Sequence, residues 1–217
     1  MLKFENLIFG VPGKGKILVN GIIGNQECVV LTGPTGCGKT TLLRVIAGLE
    51  APESGSIFFG EKKLTGLPPQ EIKAGLVFQD SGLWPDLNIK KNLSYGFKFH
   101  FSLSRLEPTL VEEKIQKAAQ FWGIEKLLER FPSNLSGGEK QSVAFVRTLL
   151  IDPPFFLLDE SWSALDLEMR QKFLAQFKNF LNEKPKPTLW VSHHSEDLTN
   201  IATRIVAWDV RQQCISF

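Results

Sequence analysis

Between an apolar run, Cys28 to Thr32, and a stretch with helical spacing, Thr41-Leu42-Leu43-Arg44-Val45-Ile46-Ala47, lies the octet Gly33-Pro34-Thr35-Gly36-Cys37-Gly38-Lys39-Thr40. The order is strand, glycine-rich loop, helix, which is the context that gives the pattern G-x-x-x-x-G-K-[S/T] its meaning. Small residues let successive backbone N–H groups turn inward around phosphate oxygens, and the helix N-terminus adds a dipole that favours negative charge. Lys39 is then expected to reach the β- and γ-phosphates of a nucleotide, and the Thr40 hydroxyl to join the shell of Mg2+. Gly33, Pro34, Thr35, Gly36, Cys37, Gly38, Lys39, Thr40 and Thr41 are therefore candidate nucleotide contacts. The plain alternative is a glycine-rich turn capping an ordinary helix.

A second run, Phe155-Phe156-Leu157-Leu158-Asp159-Glu160, reads as a buried strand ending in two acids. Such an end is a costly place for charge without a task. Asp159 fits as the Mg2+ partner, through water, and Glu160 as the carboxylate that orients or deprotonates an attacking water. Taken alone, the same run is simply a strand meeting its loop.

Composition removes several classes. The 217 residues are 43% apolar, enough for one substantial core with a smaller attached subdomain. A formal charge of +2 gives no reason to expect nucleic acid or an anionic membrane as the main partner. No apolar run approaches the ~20 residues that span a bilayer, so a soluble, intracellular chain is expected. Cys28, Cys37 and Cys214 form no C-x-x-C pair and have no histidine at metal-ligand spacing, and they read as reduced thiols. Strand-like runs at 2–9, 17–23, 56–59 and 189–192 alternate with helical patterns near 138–150 and 167–181, which implies a parallel sheet. Val111, Ile115, Ala118, Ala119 and Trp122 recur at helical spacing until Gly123, marking a helical insert between Gln79 and Leu135.

Leu135-Ser136-Gly137-Gly138-Glu139-Lys140-Gln141 stands between the two phosphate-site elements, and here the chain resembles the ATP-binding-cassette (ABC) family, whose signature is LSGGQ or LSGGE. A serine hydroxyl and glycine N–H groups at a helix N-terminus can hold phosphate; the resemblance adds that Ser136, Gly137 and Gly138 serve the nucleotide of a partner subunit. It implies an α/β fold: a P-loop NTPase core with a mixed or parallel sheet, an N-terminal antiparallel β subdomain and an inserted α-helical subdomain. Residues 1–217 then form a single ABC ATPase domain, with 1–79 and 138–217 as the nucleotide-binding core with its β subdomain and 80–137 as the helical subdomain.

On the same resemblance Gln79 touches Mg2+ and the attacking water, His193 senses the γ-phosphate, and Asp166, in Ser163-Ala164-Leu165-Asp166, lies in a loop crossing the dimer interface. An Asp capping the next helix explains Asp166 equally. Phe9, before Gly10, matches the aromatic that stacks on adenine, although most of the 17 phenylalanines must be core. Three positions depart from the family pattern: Ser161 replaces a common Pro, Ser142 a common Arg, and His194 a common acid. Alkylation of Cys37 is expected to inactivate the protein unless nucleotide shields the thiol.

The implied function is an ATP-hydrolysing subunit, with ATP and Mg2+ as cofactors, that pairs head to tail with a second ABC ATPase subunit. It energises transport of a small solute or ion through integral membrane permease subunits, from the cytoplasmic face and without nucleic acid. Ser81 to Ile89 is expected to help form the docking groove, though Leu83, Trp84 and Leu87 equally suit the interior of the helical subdomain. Competing readings are a lipid-trafficking or export ATPase, a soluble ABC ATPase of DNA repair or translation, a non-hydrolysing nucleotide-binding regulator, and a nucleotide kinase or GTPase.

Overall fold

The computed structural model describes residues 1–78, 80–99, 106–160, 164–192, 198–208 and 213–217, with the backbone alone at 98 and 99. They fall into two compact units: the described residues of Met1–Leu76, Pro154–Glu160 and Phe177–Phe217, and those of Val77–Pro153 and Ser161–Gln176. No helix among them is long and apolar enough to cross a membrane.

The first unit carries two sheets. In one, β1 (Leu2–Val11) pairs antiparallel with β2 (Gly15–Ile23) and with β4 (Ser54–Phe59); β5 (Lys62–Lys63) extends one edge and β10 (Cys214–Ser216) lies parallel to β2 at the other. The antiparallel N-terminal region expected from the family resemblance is thus present, with one parallel edge strand from the end of the chain.

The second sheet has the order β6-β7-β8-β3-β9, from β3 (Cys28–Thr32), β6 (Gly75–Val77), β7 (Phe156–Asp159), β8 (Thr188–Val191) and β9 (Arg204–Ala207). β3 runs parallel to β8 and β9, and β7 parallel to β8. β7 and β8 are buried along their whole length, as the continuous apolar runs of parallel strands require. Phe177 joins their core, its ring 5.6 Å from Phe156 and 6.0 Å from Trp190.

Helix α1 (Lys39–Ile46) follows the glycine-rich loop and lies against β7 and β1. It stops where Gly48 takes a φ of 73°. A Cβ there would stand 2.6 Å from the Ile72 side chain, in the short helix α2 (Pro69–Ile72), so both conformation and space demand glycine.

The second unit is helical: α3 (Ile89–Phe99), α4 (Pro108–Trp122), α5 (Gly137–Leu150) and the first part of α6 (Leu167–Glu183). Proline opens α4 in its first turn, and Gly123, with φ 69°, closes it. Trp122 centres the core, its ring 5.3 Å from both Phe145 and Phe173.

Candidate functional site

The C-terminal ends of β3, β7 and β8 share one edge of the parallel sheet, where open α/β folds place their ligands. The register puts Leu31, Val191 and Asp159 in one row across the strands. With β8 between β3 and β7, the loop entrance and the acidic strand end are two strand spacings apart, about 10 Å.

In the glycine-rich loop, Pro34, Thr35 and Gly36 are exposed, as is Thr40 on the first turn of α1, while Thr41 is half-buried. Lys39 is only 5% exposed, yet its ammonium is satisfied by the loop itself: Nζ donates to the carbonyls of Gly33 at 2.8 Å and Pro34 at 2.9 Å, and the Cys37 Sγ lies 3.9 Å away. Gly38, the residue before the helix, has φ 112°. A Cβ there would stand 2.5 Å from the Val11 side chain and 3.2 Å from the Trp208 ring. Val11 of β1 and Trp208 after β9 therefore wall the loop in, and nothing in the sequence singled out either residue.

Asp159, 4% exposed, ends β7. Glu160 follows with φ 45°, a conformation that costs a non-glycine residue about 1–2 kcal/mol. Its amide donates to the Val191 carbonyl at 2.9 Å, which fixes the strained residue against β8. Strain of this kind concentrates where a side chain must be aimed. Gln79 and His193 lie outside the described residues.

Phe9 departs from expectation. Its ring is 1% exposed and meets Trp208 edge-on at 6.4 Å, so it presents no free face to a base. The cause is one extra residue in β1. Phe4 pairs with Gly21 but Leu7 with Val19, three steps against two, and Asn6 takes φ 46° at the bulge. Leu2 and Phe4 point inward before the bulge, and Leu7, Phe9 and Val11 after it. Without the extra residue Phe9 would face outward.

In the second unit, Ser136 and Glu139 form a reciprocal cap at the start of α5. The Ser136 Oγ accepts from the Glu139 amide at 3.2 Å, and the Glu139 Oε2 accepts from the Ser136 amide at 2.7 Å. Ser136 and Gly137 are exposed and Gly138 is buried. A Cβ on Gly138 would come within 2.9 Å of the Leu165 side chain and 3.0 Å of the Ala164 carbonyl, so this glycine permits a close approach. Gln141 supports it: its Oε1 accepts from the Ala164 amide at 3.1 Å. The Asp166 Oδ1 accepts from the Met169 amide at 2.8 Å, the helix-capping role open from sequence.

Residues 18–163 match the sequence pattern described as ABC transporter. The chain belongs to the ABC transporter family. It is 38% identical over 191 residues to the maltose/maltodextrin import ATP-binding protein MalK of Escherichia coli K12, a match covering 88% of this chain and 50% of that protein. The MalK of Salmonella typhimurium LT2 is also 38% identical over 191 residues, 88% of this chain and 51% of the relative. The chain thus spans about half the length of the curated relatives it matches.

Among solved structures, the dimeric structure of MJ0796, a bacterial ABC transporter cassette, superposes with a TM-score of 0.88 at 26% identity, covering 99% of this chain and 96% of that one. A dimeric post-hydrolysis state of the same cassette, bound to ADP and Pi, gives 0.86 at 27% identity with the same coverage.

Within this ABC transporter chain, Ser142 is buried and its hydroxyl donates back to the Gly138 carbonyl at 3.0 Å, so the departure from Arg is satisfied locally. Ser161 and His194 lie outside the described residues. Cys37 is 2% exposed, too buried for the alkylation expected from sequence. Burial pushes the Cys28 thiol up to about 12, whereas Cys214 is half-buried. A maleimide is therefore expected to modify Cys214 first, with Cys28 and Cys37 reacting only after denaturation, as peptide mass spectrometry would register.

Proposed function

We propose that this chain is the ATP-binding and ATP-hydrolysing subunit of an ABC importer for a small solute. It works as a head-to-tail pair bound to integral membrane permease subunits on the cytoplasmic face. The observation that carries the reading is the shared sheet edge: a glycine-rich loop with a buried lysine and, in register with it, a strand ending in Asp159 and a backbone-strained Glu160. Import is favoured because the MalK relatives are import proteins by name.

On ATP binding, Lys39 exchanges the carbonyls of Gly33 and Pro34 for β- and γ-phosphate oxygens, and the loop amides from Gly36 to Thr41 receive the rest. Glu160 takes the proton of the attacking water. The exposed Thr40 hydroxyl and the Asp159 carboxylate are hard oxygen donors few enough for Mg2+, which keeps several waters, and Gln79 would complete the set. When bound, Mg2+ offsets charge on the phosphates. Ser136, Gly137 and Gly138 present a helix N-terminus to the partner's γ-phosphate, and Asp166 lies on the adjoining segment. Closure is favoured only while that phosphate is present, which makes hydrolysis the release step.

Ser81 to Ile89 would receive the permease. Trp84 remains 38% exposed, and Pro85 and Asp86 are exposed beside it.

Purified chain with Mg–ATP is expected to release phosphate and to populate a dimer by light scattering that disappears as ADP accumulates. Nucleotide binding without either response would instead identify a non-hydrolysing regulator.

A further inference from the structure

Residues 81–88 belong to no helix or strand, and two side chains hold their backbone in place. From α3, the fully buried Asn92 accepts the Trp84 amide through Oδ1 at 2.9 Å and donates through Nδ2 to the carbonyls of Trp84 at 3.1 Å and Leu87 at 2.8 Å. From α5, Arg147 donates through Nη1 to the Gly82 carbonyl at 2.9 Å and through Nη2 to the Ser81 carbonyl at 3.1 Å. Its guanidinium also lies 4.8 Å above the Trp84 ring, which rests on Tyr95 with centroids 4.2 Å apart.

Arg147 is an expensive choice for a purely structural task. Burial lowers its pKa to about 10, so it is desolvated yet still charged at neutral pH. No carboxylate lies within ion-pair distance of it among the described residues. A half-buried cation with no carboxylate to pair with among the described residues gives up hydration that an apolar side chain of similar volume would not. What the guanidinium provides instead is geometry: a planar fork that grips two successive carbonyls, and a flat face for an indole.

We infer that Arg147 is a positioning residue that makes the Ser81–Asn88 segment move as one body with the signature helix α5. Ser136 and Arg147 stand on the same helix, separated by about 16 Å along its axis at 1.5 Å per residue. A displacement imposed at Ser136 by a partner's phosphate reaches Arg147 without any loop between, and Arg147 passes it to Ser81, Gly82 and Trp84. The inference rests on the reading that Ser136 to Gly138 meet that phosphate.

The test is hydrogen–deuterium exchange on the Glu160→Gln protein, which is expected to hold ATP, with and without Mg–ATP. It compares Arg147 with Arg147→Met and Arg147→Lys and follows peptides covering 81–88 and 136–141. With Arg147 present, Mg–ATP is expected to slow exchange about tenfold in both peptides. In Arg147→Met the slowing at 136–141 should persist and that at 81–88 should disappear; Arg147→Lys, which keeps the charge and one reachable carbonyl, should restore part of it. If Arg147→Met speeds exchange at 81–88 equally with and without nucleotide, the residue is only a structural tie and the inference falls, while the paired-subunit reading stands. An absence of any Mg–ATP response at 136–141 with Arg147 present would overturn both.

Discussion

Glu160→Gln is expected to reduce the rate of phosphate release by about 10²–10⁴-fold, the range for losing a general base, while leaving ATP binding intact. The substitution keeps the size of the side chain and its place after β7, where the backbone is fixed by the bond from the Glu160 amide to Val191. The positive φ is equally strained for Gln, so fold and loop geometry should persist. With binding retained and turnover removed, the ATP-bound pair should accumulate. Phosphate release and light scattering on the same sample measure both. Turnover at the parent rate would assign the base elsewhere.

Lys39→Ala should fail at the earlier step. The ammonium is buried and charged, and every phosphate oxygen it receives gains a charge-assisted bond of about 1.5–3 kcal/mol. Calorimetric titration is therefore expected to show ATP affinity reduced by about 10–10²-fold. The fold should tolerate the change, because Gly33 and Pro34, whose carbonyls the ammonium holds, are half-buried and exposed residues outside the apolar core. A mutant that binds ATP as tightly as the parent would show that Lys39 keeps its loop contacts throughout.

Much of the site is legible from residue order. Cys28–Thr32, Lys39–Ile46 and Phe156–Asp159 are visible because an unbroken apolar run and a 3.6-residue repeat are strong local signals, with glycine or charge at their ends. The helix end at Gly123 follows from the same logic. Lys62–Lys63, Arg204–Ala207 and Cys214–Ser216 were not legible, since two to four residues carry no period and their pairing comes from distant strands.

The misplacement of Phe9 is more instructive. Its family match predicts an exposed ring, but the inward or outward sense of a strand residue depends on counting from a fixed point, and one bulge at Asn6 reverses the count. The partner of that bulge is Gly55, where a Cβ would fall 2.1 Å from the Asn6 carbonyl. Arg147 and Gln141 were hidden for another reason: their partners are backbone groups, whose positions depend on how the segments meet in space.

The crowding around Gly38 has an evolutionary consequence. Positions 11, 38 and 208 lie far apart in the chain yet share one volume too small for another methyl group. Their histories are therefore joined. A lineage can enlarge residue 38 only after trimming Val11, and even then at the cost of a φ of 112°, while the trimmed intermediate would leave the loop slack. Substitutions at the three sites should consequently be correlated, so that the glycine-rich loop is inherited along with two residues remote from it in sequence.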